Sequence, residues 1–221
     1  MDPVLVTPRL KLTLLSTLEP GSPELALAHE LRSDPQSTFW SPYGTAKTIE
    51  DTKKVFEGVL NKKHTINYLI HRFVNPSSSN DADQEQRETE FIGHVTIWPL
   101  GAGSLPLPEN LSAPAAESET TLSMEVGYMF LPKAWGKGYA TESLNAVFGL
   151  CKRERGFWAP YEKVYVRALV NDENAASMRV MEKVGFEKRG VHHWTGDKVF
   201  LAGKWITECG IAIYGTYLVQ D

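Results

Sequence analysis

The 221-residue sequence predicts an α+β protein, with about seven strands and about four helices in mixed order and helices on both faces of the sheet. Two patterns carry that expectation. Lys163 to Val170 places Val164, Val166, Ala168 and Val170 on one face with period two, as a half-buried strand does. Leu144, Val147, Phe148 and Cys151 recur at helical spacing instead. A third observation permits the fold: with 42% hydrophobic and 10% aromatic residues the chain can bury a core without staples.

In chain order, Arg9 to Leu15 alternates with Leu10, Leu12 and Leu14 on one face and reads as the first strand. Ser22-Pro23-Glu24 starts a helix, with an N-cap serine, proline at the first helical position and an acid in the first turn. Thr48 opens a second helix, Asp51 completing a variant capping box and Val55, Phe56 and Val59 sharing a face. Asn67 to Val74 and Phe91 to Trp98 read as strands. Between them, Asn75 to Glu90 is polar and acidic, with too little apolar surface to offset its ordering entropy, and reads as a flexible hairpin extension. Leu100 to Thr121 is rich in Pro, Ala, Gly and Ser.

The second half continues with a strand at Met124 to Leu131, a glycine-containing turn, and a helix to about Lys152. After the strand at Lys163 to Val170, a helix runs from Asn174 to Gly185 with Met178, Met181 and Val184 inward. Phe186 begins another strand and Ile206 to Leu218 supplies the last. The length suits one domain, residues 1–221, with insertions near 75–90 and 100–121.

The net charge of -4 argues against a general nucleic-acid binder and suits an anionic membrane surface poorly. Cys151 and Cys209 cannot build a disulfide framework or a zinc site alone. Cys151 falls on an apolar helix stripe, where a buried inert thiol is expected. Met1-Asp2-Pro3-Val4 lacks a signal-peptide pattern, and no apolar run approaches the roughly 20 residues of a membrane helix. A cytoplasmic protein without metal is expected.

The chemistry is concentrated in Trp135-Gly136-Lys137-Gly138-Tyr139-Ala140-Thr141-Glu142, between a strand and a helix. Glycines allow close backbone approach, and a helix N-terminus offers unpaired N–H groups and a positive dipole end. Together they can cradle a pyrophosphate, and Lys137 could add charge. The spacing matches neither a dinucleotide fingerprint, which needs a third glycine, nor a Walker loop, since Gly138 follows Lys137.

This stretch and the preceding Glu125-Val126-Gly127-Tyr128-Met129-Phe130-Leu131-Pro132 resemble the acyl-CoA-binding motif of the GNAT superfamily. The similarity is greatest to the branch containing the ribosomal-protein N-terminal acetyltransferases. Asn174 to Phe186 resembles that branch's next motif, and Thr7-Pro8-Arg9-Leu10 its opening. Trp135 stands where the superfamily's common signature begins with Arg or Gln, and suits this branch.

The resemblance implies a mixed, mostly antiparallel sheet and a reaction between acetyl-CoA and a primary amine in a ternary complex. It also implies that Gly136 to Thr141 bind pyrophosphate through backbone N–H groups. Tyr128, Met129, Phe130 and Leu131 would splay from the neighbouring strand and hydrogen-bond pantetheine through the main chain. Asn174 would touch the pantetheine arm and Ser177 the thioester sulfur. Many members carry a thiolate-protonating tyrosine seven residues beyond the asparagine; here that position is Met181. Ser177 or an ordered water must then serve.

The amine must lose a proton and the oxyanion needs a donor. N–H groups near Met129 and Phe130 are candidate donors. Glu125 is the first candidate base, with a solvated or salt-bridged carboxylate as the other reading. His71 and His94 lie in adjacent predicted strands and could reach the acceptor cleft or be structural. His192, His193 and Trp194 fall where family members shape the acceptor side, or on an exposed bend. Glu142 has a sufficient reason in the helix dipole alone. The acceptor stays open among protein N-termini, antibiotics, polyamines and small metabolites. A non-catalytic acyl-CoA sensor and an enzyme using another acyl-CoA are the alternatives.

Overall fold

A computed structural model describes residues 1–75, 87–113 and 119–220. The strands are β1 (Val4–Val6), β2 (Leu10–Leu14), β3 (Ile66–Phe73), β4 (Thr89–Pro99), β5 (Thr121–Phe130), β6 (Lys163–Asn171), β7 (Glu187–Leu201) and β8 (Lys204–Val219). The helices are α1 (Pro23–Ser33), α2 (Ile49–Leu60), α3 (Tyr139–Arg153) and α4 (Ala175–Lys183), with short 3₁₀ turns between. The strands make one sheet in the order β1-β2-β3-β4-β5-β6-β8-β7. Among the described residues, β5 and β6 pair in parallel and the other neighbours are antiparallel.

The eighth strand is the addition to the expected seven. Three residues between Pro3 and Thr7-Pro8 are too few to show a period, and Val4 and Val6 stay 43% and 45% exposed on an edge. The helix starts follow their caps. Ser22 accepts from the Leu25 N–H at 3.2 Å. Thr48 accepts from the Asp51 N–H at 3.1 Å while Asp51 Oδ2 accepts from the Thr48 N–H at 2.9 Å, a complete capping box.

The helices cover the two sheet faces as expected. Leu25, Ala28 and Leu31 of α1 and Phe56 of α2 pack with Leu69, Phe91 and Leu131 on one face. Leu144, Val147, Phe148 and Cys151 of α3 and Met181 of α4 join Met124, Val126, Phe130 and Val166 on the other. Cys151 is fully buried, and burial pushes its thiol up to about 12.

Strands bound the two segments read as insertions more closely than the sequence suggests. Thr89 and Glu90 already belong to β4, where Glu90 pairs with Arg72 and, at 2.9 Å, with Lys133. Residues 76–86, the heart of the expected flexible extension, lie outside the described residues. Thr121 opens β5, and the preceding segment is anchored by the buried Leu111 and by the Leu105 carbonyl, which accepts from Arg167 at 3.0 Å.

The feature that positions the site is where β5 leaves β6. Their pairing runs from Thr121↔Lys163 to Glu125↔Arg167 and stops. Beyond it β5 stays with β4 as far as Phe130, while β6 follows β8 to Asn171. A wedge opens between two parallel strands.

Candidate active site

Alternation decides which backbone groups of β5 face the wedge. The Leu131 N–H donates to the Ile92 carbonyl at 2.8 Å, so Leu131 and, two by two, Met129 and Gly127 turn their polar groups to β4. Tyr128 and Phe130, of the opposite parity and beyond the last β5–β6 pair at Glu125↔Arg167, therefore present theirs to the open edge. Of the two expected oxyanion donors, the Phe130 N–H faces the wedge and the Met129 N–H does not. The Phe130 carbonyl is engaged by the Trp135 indole N–H at 2.8 Å, although Trp135 is 49% exposed.

At the wide end of the wedge the chain passes through a single 3₁₀ turn, Pro132–Ala134, into Gly136 and Gly138. Both glycines have left-handed backbones, φ 71° and 79°, which β-carbon-bearing residues resist. Gly138 is the N-cap of α3 and no side chain caps the helix. The first intrahelical bond is Glu142 N–H to the Gly138 carbonyl at 3.0 Å, so the N–H groups of Tyr139, Ala140 and Thr141 have no intrahelical acceptor. Lys137 bends back, its ammonium donating to the Lys133 carbonyl at 2.7 Å.

Side chains of β5 alternate between the faces. Tyr128 points to α4, where its hydroxyl lies 2.6 Å from the Ser177 Oγ. Burial pushes the Tyr128 phenol up to about 12, against the hydrogen bond to Ser177, so it stays protonated throughout the neutral range. From the sequence, Tyr128 is expected to act only through its main chain. The usable sign is its parity with Met124 and Val126, facing a helix whose first turn carries Ser177. Asn174 is the N-cap of α4, its Oδ1 accepting from the Ser177 N–H at 3.1 Å. Met181 is completely buried in the core and offers no acid.

Glu125 lies on the other face, at the apex of the wedge. Its Oε2 accepts from Arg167 Nη2 at 2.9 Å and Nε at 3.1 Å, and the two side chains are 16% and 6% exposed. Burial raises the Glu125 carboxyl above the ordinary carboxylate range, and the Arg167 charge offsets part of that. Both sequence readings of Glu125 thus keep a footing: it is ion-paired, and it is a carboxyl whose pKa is raised by burial at the apex of the wedge. Arg167 carried no motif, and only its position across from Glu125 in the folded sheet reveals it.

The histidines stand elsewhere. His94 is across from Met129, with its ring 5.2 Å from Phe56 and its Nδ1 without a partner among the described residues. Burial, helped by the Arg32 charge, lowers it to about 3, too weak a base for neutral pH. His71 is on β3, two strands from β5, and burial lowers it too. His192, His193 and Trp194 do not form a bend. They sit in β7, paired with Ile211, Gly210 and Cys209, on the sheet edge beyond β8.

His94 gives an expected stability result. Its folded pKa lies below the unfolded value near 6.5, so the stability held by the neutral ring is present above that pH and lost as pH falls toward 3. At pH 4.5 the penalty is about 2–3 kcal/mol. His94→Leu should flatten the fall in urea midpoint between pH 7 and pH 4.5. An equally steep fall in the variant would mean that His94 does not carry it.

Among the described residues no three His, Cys, Asp or Glu side chains gather for a metal ion, and no helix is long and apolar enough to cross a membrane.

Residues 14–187 match the family model described as the acetyltransferase (GNAT) domain. The Bacillus subtilis (strain 168) protein YkkB is 27% identical over 161 residues, 69% of this chain and 78% of its own. Among solved structures, the GNAT-family acetyltransferase from Bacillus anthracis is similar at a TM-score of 0.59 and 20% identity, covering 97% of this chain and 98% of its own. Spermidine N-acetyltransferase from Vibrio cholerae, in complex with CoA and spermine, is similar at 0.60 and 14%, with 95% of each chain covered. Ribosomal-protein-S5-alanine acetyltransferase from Vibrio fischeri is similar at 0.58 and 14%, covering 100% of this chain and 98% of its own.

Proposed function

Because this chain belongs to the GNAT acetyltransferase family, we propose that it transfers an acetyl group from acetyl-CoA to a primary amine by direct attack in a ternary complex. The observation that carries this reading is the wedge between β5 and β6, whose open edge leads to the uncapped start of α3. A strand edge and a run of free amides suit a donor that has an amide-bearing arm and a pyrophosphate.

In this reading the N–H groups of Tyr139, Ala140 and Thr141 hold the pyrophosphate, with Gly136 and Gly138 admitting it closely and Lys137 free to swing toward it. Tyr128 and Phe130 bond the pantetheine arm through their main chain, with Met129 and Leu131 keeping β5 on β4. Trp135 braces the end of β5, and Asn174 has its Nδ2 left for a carbonyl of the arm.

Two side chains then serve opposite ends of the transfer. Glu125, on the α1–α2 face, takes the proton that the amine loses as its nitrogen bonds the acetyl carbon. With the Phe130 carbonyl held by Trp135 and its N–H on the arm, the Tyr128 N–H on the same open edge steadies the oxygen. Tyr128, on the α4 face, donates a hydrogen bond to the departing sulfur, with Ser177 beside it as relay. Full proton transfer from a phenol at about 12 to an ordinary thiolate near 8.5 is uphill by about 5 kcal/mol, so hydrogen-bond donation is its role. On the acceptor face Asn67 and Thr96, buried and paired across β3 and β4 beside Gly127, have side-chain polar atoms without partners among the described residues. Such groups usually find partners, and a polar acceptor would supply them.

Both cysteines are free thiols, which suits a reducing compartment, and we place the enzyme in the cytoplasm as a single catalytic unit. The test is release of free thiol from acetyl-CoA over a panel of primary amines that includes spermidine and a peptide with N-terminal alanine. Amine-dependent thiol release with an N-acetylated product is expected. CoA binding without release for any amine would point to a sensor, and faster release from another acyl-CoA to a different donor.

A further inference from the structure

The turn Thr7-Pro8-Arg9 joins β1 to β2, far from the wedge in sequence, yet it grips the start of α3. Both oxygens of Glu142 are occupied. Oε1 accepts from the Thr7 hydroxyl at 2.6 Å and from the Arg9 N–H at 3.2 Å, and Oε2 accepts from Arg9 Nε at 2.6 Å. Arg9 Nη2 closes the ion pair at 2.6 Å. The same guanidinium donates through Nη1 to the Lys137 carbonyl at 2.9 Å and lies 4.9 Å from the centre of the Tyr139 ring. Arg9 therefore holds both sides of Gly138.

From this geometry we infer that Thr7, Arg9 and Glu142 form a positioning clamp that sets the phosphate-facing turn in its binding shape; the inference rests on the reading of that turn as a pyrophosphate cradle. The peptide between Lys137 and Gly138 is planar and trans, so fixing the Lys137 carbonyl on Arg9 aims the Gly138 N–H the opposite way. Pinning Glu142 fixes the first turn of α3, whose first three amides, those of Tyr139, Ala140 and Thr141, are uncapped. The clamp also neutralises a carboxylate that would otherwise repel an anion one turn away. A partly exposed ion pair adds little to global stability, so four contacts on one carboxylate are better explained by local geometry.

Charge alone and the clamp predict opposite signs for Glu142→Ala. Removing a negative charge near an anion site should tighten CoA, whereas releasing the clamp should loosen it. Alanine keeps the helix. CoA and pantetheine, which lacks the pyrophosphate, are titrated by calorimetry into the parent, Glu142→Ala, Arg9→Ala and the double variant. We expect CoA affinity to fall about tenfold or more in each single variant, with the double no worse than Arg9→Ala, because the two act as one unit. Pantetheine affinity should not change. Hydrogen exchange at the amide of residue 142, which donates to the Gly138 carbonyl, should speed up in all three variants. Unchanged or tighter CoA binding in Glu142→Ala, or equal losses for CoA and pantetheine, would overturn the clamp. If the parent binds no CoA, the cradle reading fails, while unchanged exchange at residue 142 overturns the clamp separately.

Discussion

Gly138→Glu is expected to abolish the rise in melting temperature that CoA gives the parent. A ligand binding only the folded state stabilises it by about 2.7 kcal/mol at a hundred times its Kd, a shift of several degrees in a chain of this size. Gly138 caps α3 with φ 79°, and the amides that follow have no other acceptor. A glutamate there carries a left-handed backbone at a cost of roughly 1–2 kcal/mol and sets a carboxylate among donors meant for a phosphate. Gly138→Asn separates strain from charge, because asparagine tolerates the left-handed region and is neutral. It should keep most of the CoA response while Gly138→Glu keeps none. Equal responses in the parent and Gly138→Glu would move the pyrophosphate away from α3.

Glu125→Gln is expected to lower turnover near neutral pH by about 10²- to 10⁴-fold, the range for loss of a general base. CoA binding should survive, since glutamine keeps the shape and an oxygen for Arg167 to bond. The sign of the pH dependence follows from burial. The Glu125 carboxyl is raised above the ordinary carboxylate range, so kcat/KM in the parent should climb as pH rises through that higher value. In Glu125→Gln that limb should vanish, and high pH should restore part of the rate by making more of the amine neutral. A variant that matches the parent across the pH range would leave Glu125 as the structural partner of Arg167.

Much of the fold was legible because its period is local. The caps at Ser22 and Thr48 and the alternation at Lys163 to Val170 each lie within a few residues. β1 was not, since three residues hold no period and its stability comes from β2. The cradle was legible because Gly136 and Gly138 are read against the strand before and the helix after. The partnerships across the sheet were not. Tyr128 meets Ser177 over 49 positions and Arg167 meets Glu125 over 42, and both depend on register and facing that only the assembled sheet defines. His71 and His94 stay open between cleft and core in the sequence for the same reason: adjacent strands allow either, and only the packing of α1 and α2 buries His94 against Phe56.

The most direct measurement is a crystal structure with CoA bound. The pyrophosphate should lie within hydrogen-bond distance of the Tyr139, Ala140 and Thr141 amides. The pantetheine arm should run between β5 and β6 along Tyr128 and Phe130, with its sulfur beside the Tyr128 hydroxyl. CoA found outside the wedge, or a wedge closed by β5 and β6 pairing beyond Glu125, would contradict the account.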